Sequence, residues 1–172
     1  MREINNPYTT LDGYNCFGCS PNNSIGLQLR FFEDGEYVRS EWLPKPHLSG
    51  YKNILHGGIQ ATLLDEIASW TVQVKLRTAG VTANLDLRYK KPVYVDQGKI
   101  FLQARVKSVE RNIAHVEVEL LNDNREICCL GMIKYFTYPQ EVARTKLYYP
   151  EFGKFFTDSD KTSGTDCQNH PK

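Results

Sequence analysis

Residues 56–70, HGGIQATLLDEIASW, set a His-Gly-Gly ahead of an apolar run that carries two adjacent carboxylates, Asp65 and Glu66. At about 100° per residue, Ile59, Leu63, Ile67, Trp70 and Val74 fall in one stripe, the core face of an amphipathic helix. Asp65 points nearly the other way, among Ala61, Ala68, Val72 and Leu76. Glu66 shares the polar wedge with Thr62 and Gln73, and is expected in water. A helix that is apolar on two sides needs two surfaces to pack on. The chain holds strands for one sheet, so the second surface is expected from another copy, in a homodimer.

The strands flank this helix. GLQLRFF (26–32) and EYVRSEW (36–42) are joined by a turn at Glu33–Glu36, where Asp34-Gly35 is a hairpin signal. LPKPHLSGYKNI (43–54) is a loop rich in turn formers. Beyond the helix, strands are expected at 81–89, 99–109, 113–121 and about 126–137, with turns at 110–112 and 122–124. Val81, Ala83, Leu85, Leu87 and Tyr89 alternate with polar residues, the pattern of a sheet with one buried face. The expected fold is α+β, an antiparallel sheet around one long helix, with a domain over 1–140 and an extension over 141–172. LYYPEFGKFF (147–156) is aromatic enough to dock on the body or on a partner chain. The last sixteen residues, TDSDKTSGTDCQNHPK, hold almost nothing to bury and are expected to be disordered.

Bulk properties exclude several functions. Among 172 residues, 21 Lys plus Arg balance 20 Asp plus Glu, so a formal charge of +1 gives no reason to expect nucleic acid. MREINNPYTT lacks the apolar core of a signal peptide, and no apolar run approaches the roughly 20 residues of a membrane span. A cytoplasmic protein without a membrane partner is expected. Cys16 and Cys19 form a C-x-x-C, but the second pair that structural zinc commonly uses is missing. Cys128 and Cys129 are adjacent on a strand and point to opposite faces, and Cys167 stands alone. Five cysteines, an odd total, suit reduced thiols in a reducing compartment, and no metal is expected.

The two glycines carry chemistry. They cost helix stability but let a ligand approach bare backbone, where N–H groups aided by the helix dipole polarise a carbonyl or stabilise an oxyanion. His56 is the helix cap, a substrate contact or a turn residue hydrogen-bonded locally. Gly58 and Asp65 stand about 10 Å apart along one helix axis, too far to serve one bond. A two-fold axis that sets helices antiparallel brings the glycine end of one beside the aspartate of the other, giving two composite sites per dimer.

NCFGCSPNNSIGLQL, LHGGIQATLLDE and RYKKPV, spread over residues 14–138, make the sequence resemble the hotdog-fold acyl-CoA thioesterases, particularly the phenylacetate-pathway (PaaI-like) type. The resemblance implies a five- to six-stranded antiparallel sheet wrapped around the helix, in homodimers that often pair into dimers of dimers. It makes Asp65 the catalytic carboxylate, as general base or nucleophile, and Gly57 of the partner subunit the backbone donor to the thioester carbonyl. His56 and Gly58 become its neighbours at the substrate, Ser69 a hydroxyl that holds water, and Thr82 a polar group near the site. Relatives place an amide side chain six or seven residues before the histidine; here those positions are Ser49 and Gly50, and Asn53 is the nearby amide. Arg88 and Lys90, with Arg77 and Lys91, are candidates for coenzyme A phosphates. No cofactor is implied, since coenzyme A enters as part of the substrate. A non-catalytic acyl-CoA-binding hotdog protein is the alternative. A hotdog hydratase or dehydratase ranks third, because His47 and His115 read as loop and strand-surface residues.

Overall fold

The computed structural model describes residues 1–156. In chain order these form β1 (Arg2–Ile4), β2 (Phe31–Asp34), β3 (Tyr37–Trp42), α1 (Gly57–Lys75), β4 (Gly80–Tyr89), β5 (Ile100–Glu110), β6 (Ile113–Leu121), β7 (Ile127–Thr137) and α2 (Gln140–Lys146). The strands make one antiparallel sheet of seven, in the order β1-β2-β3-β5-β6-β7-β4, curled around α1. This is the hotdog architecture, one strand wider than expected. The addition is β1, a three-residue strand that pairs with β2.

Two-residue alternation builds the inner face. In β6, Ala114, Val116, Val118 and Leu120 are buried, and Leu102, Ala104 and Ile133 of the neighbouring strands join them. Against them α1 presents Leu63, Ile67, Trp70 and Val74, the stripe expected from the sequence. The Trp70 ring stacks on Phe31 at 4.8 Å between centroids. The helix ends where Arg77 takes a left-handed φ of +53° just past the Leu76 cap, and Lys75 in the last turn suits the negative end of the helix dipole.

Four expectations change. The first hairpin strand begins at Phe31 rather than Gly26, because residues 27 and 29 spend their N–H groups on the cysteine segment: Leu27 on Phe17 O at 2.8 Å and Leu29 on Gly18 O at 2.9 Å. That segment lies across the Glu66 side of α1, so Glu66 is half-buried rather than in open water. The second surface the helix needed comes from its own chain. β4 gains little burial, since it is the sheet's edge: Val81, Leu85 and Tyr89 remain 44%, 39% and 52% exposed. The case for a second copy moves from the helix to this strand, whose unpaired backbone edge is ten residues long.

Beyond residue 139 the chain returns to the same core. Ala143, Tyr149 and Phe155 are buried, and Phe155 meets the Trp70 ring edge-on at 5.9 Å. Asn5 N–H bonds Phe155 O, tying both ends of the described chain together. The expectation of disorder over 157–172 lies outside the described residues. Among the described residues, no helix is long and apolar enough to cross a membrane.

Candidate active site

His56 is the helix cap: its Nδ1 accepts the Gly58 N–H at 2.9 Å, which puts the ring proton on Nε2. Its carbonyl takes the N–H groups of Ile59 and Gln60. Gly57 N–H is left with no acceptor among the described residues, so of the two glycines this one retains a free donor at the positive end of the helix. Tyr89 lies against it, donating its hydroxyl to Gly57 O at 2.9 Å.

Two turns on, Asp65 Oδ1 accepts the hydroxyls of Thr82 at 2.8 Å and Tyr135 at 2.6 Å. The Tyr135 hydroxyl also lies 2.8 Å from Asp65 O. Burial, with the Asp65 charge beside it, pushes the Tyr135 phenol well above its ordinary value, so it stays protonated and donates. Asp65 Oδ2 has no hydrogen-bond donor among the described residues and is free to take a proton or approach a carbonyl.

Thr82 reaches Asp65 because of a defect in the sheet. The β4–β7 register shifts between Thr82 and Asn84, leaving Ala83 as a bulge. After the bulge Leu85 pairs with Ile133 and Tyr89 with Cys129, on the helix side; before it Thr82 pairs with Tyr135, on that same side. Strict alternation puts Thr82 on the opposite face from Leu85, and the extra residue cancels that parity. Tyr135 is a site residue that pattern reading overlooked. Its signal was present: a tyrosine two residues beyond the buried Ile133 shares its face and must find a partner for its hydroxyl.

The other candidates scatter. Ser69 lies one turn past Asp65 and accepts from Gln73 Nε2 at 3.3 Å, without a bond to Asp65. Asn53 holds a left-handed φ of +64° in the loop before α1 and donates to Asp96 Oδ1 at 2.8 Å. Arg88 pairs in register with Leu130 and lines a cleft of about 390 Å³ on the sheet's outer face with Asp86, Arg105 and Glu117, away from Asp65. Lys90 is exposed just past the end of β4. Of the further cations, Lys91 is paired with Glu126 at 2.6 Å, and Arg77 lies over the Phe152 ring at 4.5 Å.

Glu66 is the correction. It receives the Trp70 indole N–H at 3.1 Å and the Cys16 thiol at 3.6 Å. Burial raises its carboxyl to about 7, and the Cys16 thiol adds to the rise. The helical wheel placed its direction correctly but could not show that residues 14–20 cover that direction.

Residues 52–129 match the family model described as the thioesterase superfamily. A Bos taurus protein named acyl-coenzyme A thioesterase THEM4 is 27% identical over 112 residues, 55% of this chain. The chain spans 45% of that relative's length. Among solved structures, a hypothetical thioesterase from Streptococcus pneumoniae with coenzyme A aligns at a TM-score of 0.60 and 20% identity, over 65% of this chain and 87% of its own. A Streptococcus mutans protein bound to acetyl-CoA aligns at 0.61 and 17% identity, over 76% of this chain and 98% of its own.

Proposed function

We propose that this chain, a hotdog-fold protein of the thioesterase superfamily, hydrolyses acyl-CoA thioesters to free acid and coenzyme A, using Asp65 as the carboxylate. The observation that carries the reading is Asp65 itself: a carboxylate with one oxygen fixed by two hydroxyls and the other unbonded, beside an open sheet edge. A thioester has a good leaving group, so a positioned carboxylate suffices once the carbonyl is polarised. Gly57 N–H is the donor for that polarisation.

Gly57 and Asp65 are eight residues apart on one helix, about 12 Å at 1.5 Å per residue, so the site needs two chains. β4 supplies the means. Its free edge and its half-exposed Val81, Leu85 and Tyr89 suit pairing with the same strand of a second copy, which sets the two helices antiparallel. Each site then takes Gly57 from one subunit and Asp65 from the other. Asp65 acts as general base on a water, with Ser69 one turn away as a second hydroxyl, and Thr82 and Tyr135 keep the carboxylate aimed. A second pairing, dimer on dimer, is compatible with either face left free. Reduced thiols and the soluble substrate suit a cytoplasmic setting.

The test is release of free thiol from a panel of aromatic, short-chain and long-chain acyl-CoA esters, aromatic first on the strength of the sequence resemblance. Hydrolysis that disappears in Asp65→Asn supports the reading. Mixing Asp65→Asn subunits with a backbone-blocked Gly57→Pro variant restores activity only if the site is shared between chains. Saturable acyl-CoA binding without thiol release makes the protein a sensor instead, and loss of enoyl-CoA absorbance without thiol release makes it a hydratase.

A further inference from the structure

On the side of α1 away from Asp65, three groups with metal-binding chemistry meet. The Cys16 and Cys19 sulfurs and a Glu66 carboxylate oxygen all lie within 4.8 Å of one another. Two of the three come from the C-x-x-C, and the third comes from fifty residues away, in the middle of the long helix. We propose that Cys16, Cys19 and Glu66 form a binding site for zinc or a closely similar divalent transition-metal ion, which clips the amino-terminal segment onto α1.

Four observations support this assignment. First, the spacing suits a tetrahedral ion. With metal–sulfur and metal–oxygen bonds of about 2.3 and 2.0 Å, adjacent sulfur and oxygen ligands stand roughly 3.5 Å apart. Cys16 Sγ lies 3.6 and 3.8 Å from the two Glu66 oxygens.

Second, no cationic side chain among the described residues compensates the charge. Glu66 is paired with no Lys, Arg or His among the described residues, although burial of a carboxylate costs energy unless a cation or several donors face it. Its donors are one indole and one thiol. A divalent cation neutralises the carboxylate and both thiolates together.

Third, the donors around the three groups are those that hold ligands in place. Trp70 Nε1 fixes one Glu66 oxygen at 3.1 Å, Cys19 N–H points at Cys16 Sγ at 3.4 Å, and the Tyr14 hydroxyl lies 2.9 Å from Cys19 Sγ. Tyr14 is in turn held by Asn6 Nδ2, which also bonds Cys19 O at 3.0 Å. Such outer contacts orient ligands before metal arrives.

Fourth, the loop is built to approach the helix. A Cβ at Gly18 would fall 2.6 Å from Glu66 Cγ and closer still to its carboxylate, so with glycine here the segment lies this close without displacing the Glu66 side chain. The N–H groups of Leu27 and Leu29 lock residues 17 and 18 from the other side.

The donor set selects the metal. Two thiolates disfavour magnesium and calcium, which take oxygen ligands, and suit zinc. Binding releases the thiol protons to solvent, and the fourth position falls to water or to the Tyr14 oxygen. A Cys16–Cys19 disulfide is the competing fate of the pair, but it would leave the half-buried Glu66 with only Trp70 as a donor.

The experiment uses the full chain, purified under reducing conditions and stripped with a chelator. Cobalt(II) and zinc are then added separately. Expected are one ion per chain, a thiolate-to-cobalt charge-transfer band with tetrahedral d–d absorption, and displacement of cobalt by zinc. Cys128→Ser and Cys167→Ser keep the band; Cys16→Ser and Cys19→Ser lose it. Glu66→Gln weakens zinc binding by more than about tenfold, the least expected of a lost ligand when disturbing an outer-shell partner alone costs 10–100-fold. Should a cysteine variant fail to fold, the wild-type cobalt spectrum still decides. Absence of a thiolate band in the reduced wild-type protein overturns the proposal. So does a band that survives loss of Cys16 and Cys19, or a chain that purifies two hydrogens lighter in mass, with the pair oxidised. None of these readouts depends on whether the chain hydrolyses thioesters.

Discussion

Asp65 and Glu66 are consecutive on one helix, yet their surroundings share almost nothing. Asp65 faces β4 and β7, where two hydroxyls hold one of its oxygens and the strand beside it is an open edge. Glu66 faces the amino-terminal segment, where an indole N–H and two cysteines enclose it under the backbone of Gly18. The first is a carboxylate with one oxygen held by hydroxyls and the other unbonded; the second is one half-enclosed by an indole and two thiols. A rotation of about 100° about the helix axis separates a candidate for chemistry from a candidate for structure.

The largest expected effect tests the first side. Asp65→Asn keeps the shape and the hydroxyl contacts but removes the base. Turnover should fall by about 10²–10⁴, the range for losing a positioned proton acceptor, with the melting transition nearly unmoved. Equal activity in the variant would erase the distinction between the two acids. On the second side, Trp70 is the hinge between core and cluster, stacked on Phe31 while donating to Glu66. Trp70→Ala should destabilise the chain by about 3–5 kcal/mol in urea unfolding. Trp70→Phe keeps an aromatic ring there but leaves Glu66 without its indole donor, and about 1–3 kcal/mol of the loss should remain.

Tyr135→Phe sharpens the comparison from the Asp65 side. It removes the shorter of two hydroxyl contacts while Thr82 stays, so kcat should drop several-fold with KM little changed, and stability by about 1 kcal/mol. The smallest effect belongs to an acid at neither side. Burial pushes the Glu33 carboxyl up, but Lys75 at 2.6 Å and Arg2 at 2.5 Å outweigh it and hold the group below its ordinary 4.5. A carboxyl depressed in the folded state stabilises above its unfolded value, and that contribution is lost as pH falls through the folded one. Glu33→Gln should therefore flatten the loss of stability just below pH 4.5 and leave it alone near neutrality.

The helix, its core stripe and all but one of the strands were legible in the sequence, because each rests on local periodicity or on turn chemistry; the cap was one of several readings open for His56, and the structure chose it. Thr82 was legible as a polar group near Asp65 only through resemblance; alternation alone pointed it the wrong way, and the bulge at Ala83 corrected it. Tyr135 was legible as an inward-facing residue but its partner was not, and neither were the partners of Glu66. Their roles depend on strands and loops that arrive from 70 and 50 residues away, and no helical wheel contains them.

By itself the sequence determined that one amphipathic helix would lie against one antiparallel sheet, with a glycine-tipped end and an acid midway along. Hydrophobic period and the conformational range of glycine are properties of the chain alone, and they suffice for that much. Only the tertiary structure decided which acid meets hydroxyls and which meets sulfur, and which strand ends at an open edge. Those outcomes are set by sheet register and by the path of the first thirty residues over the helix, and both emerge only when distant segments pack together.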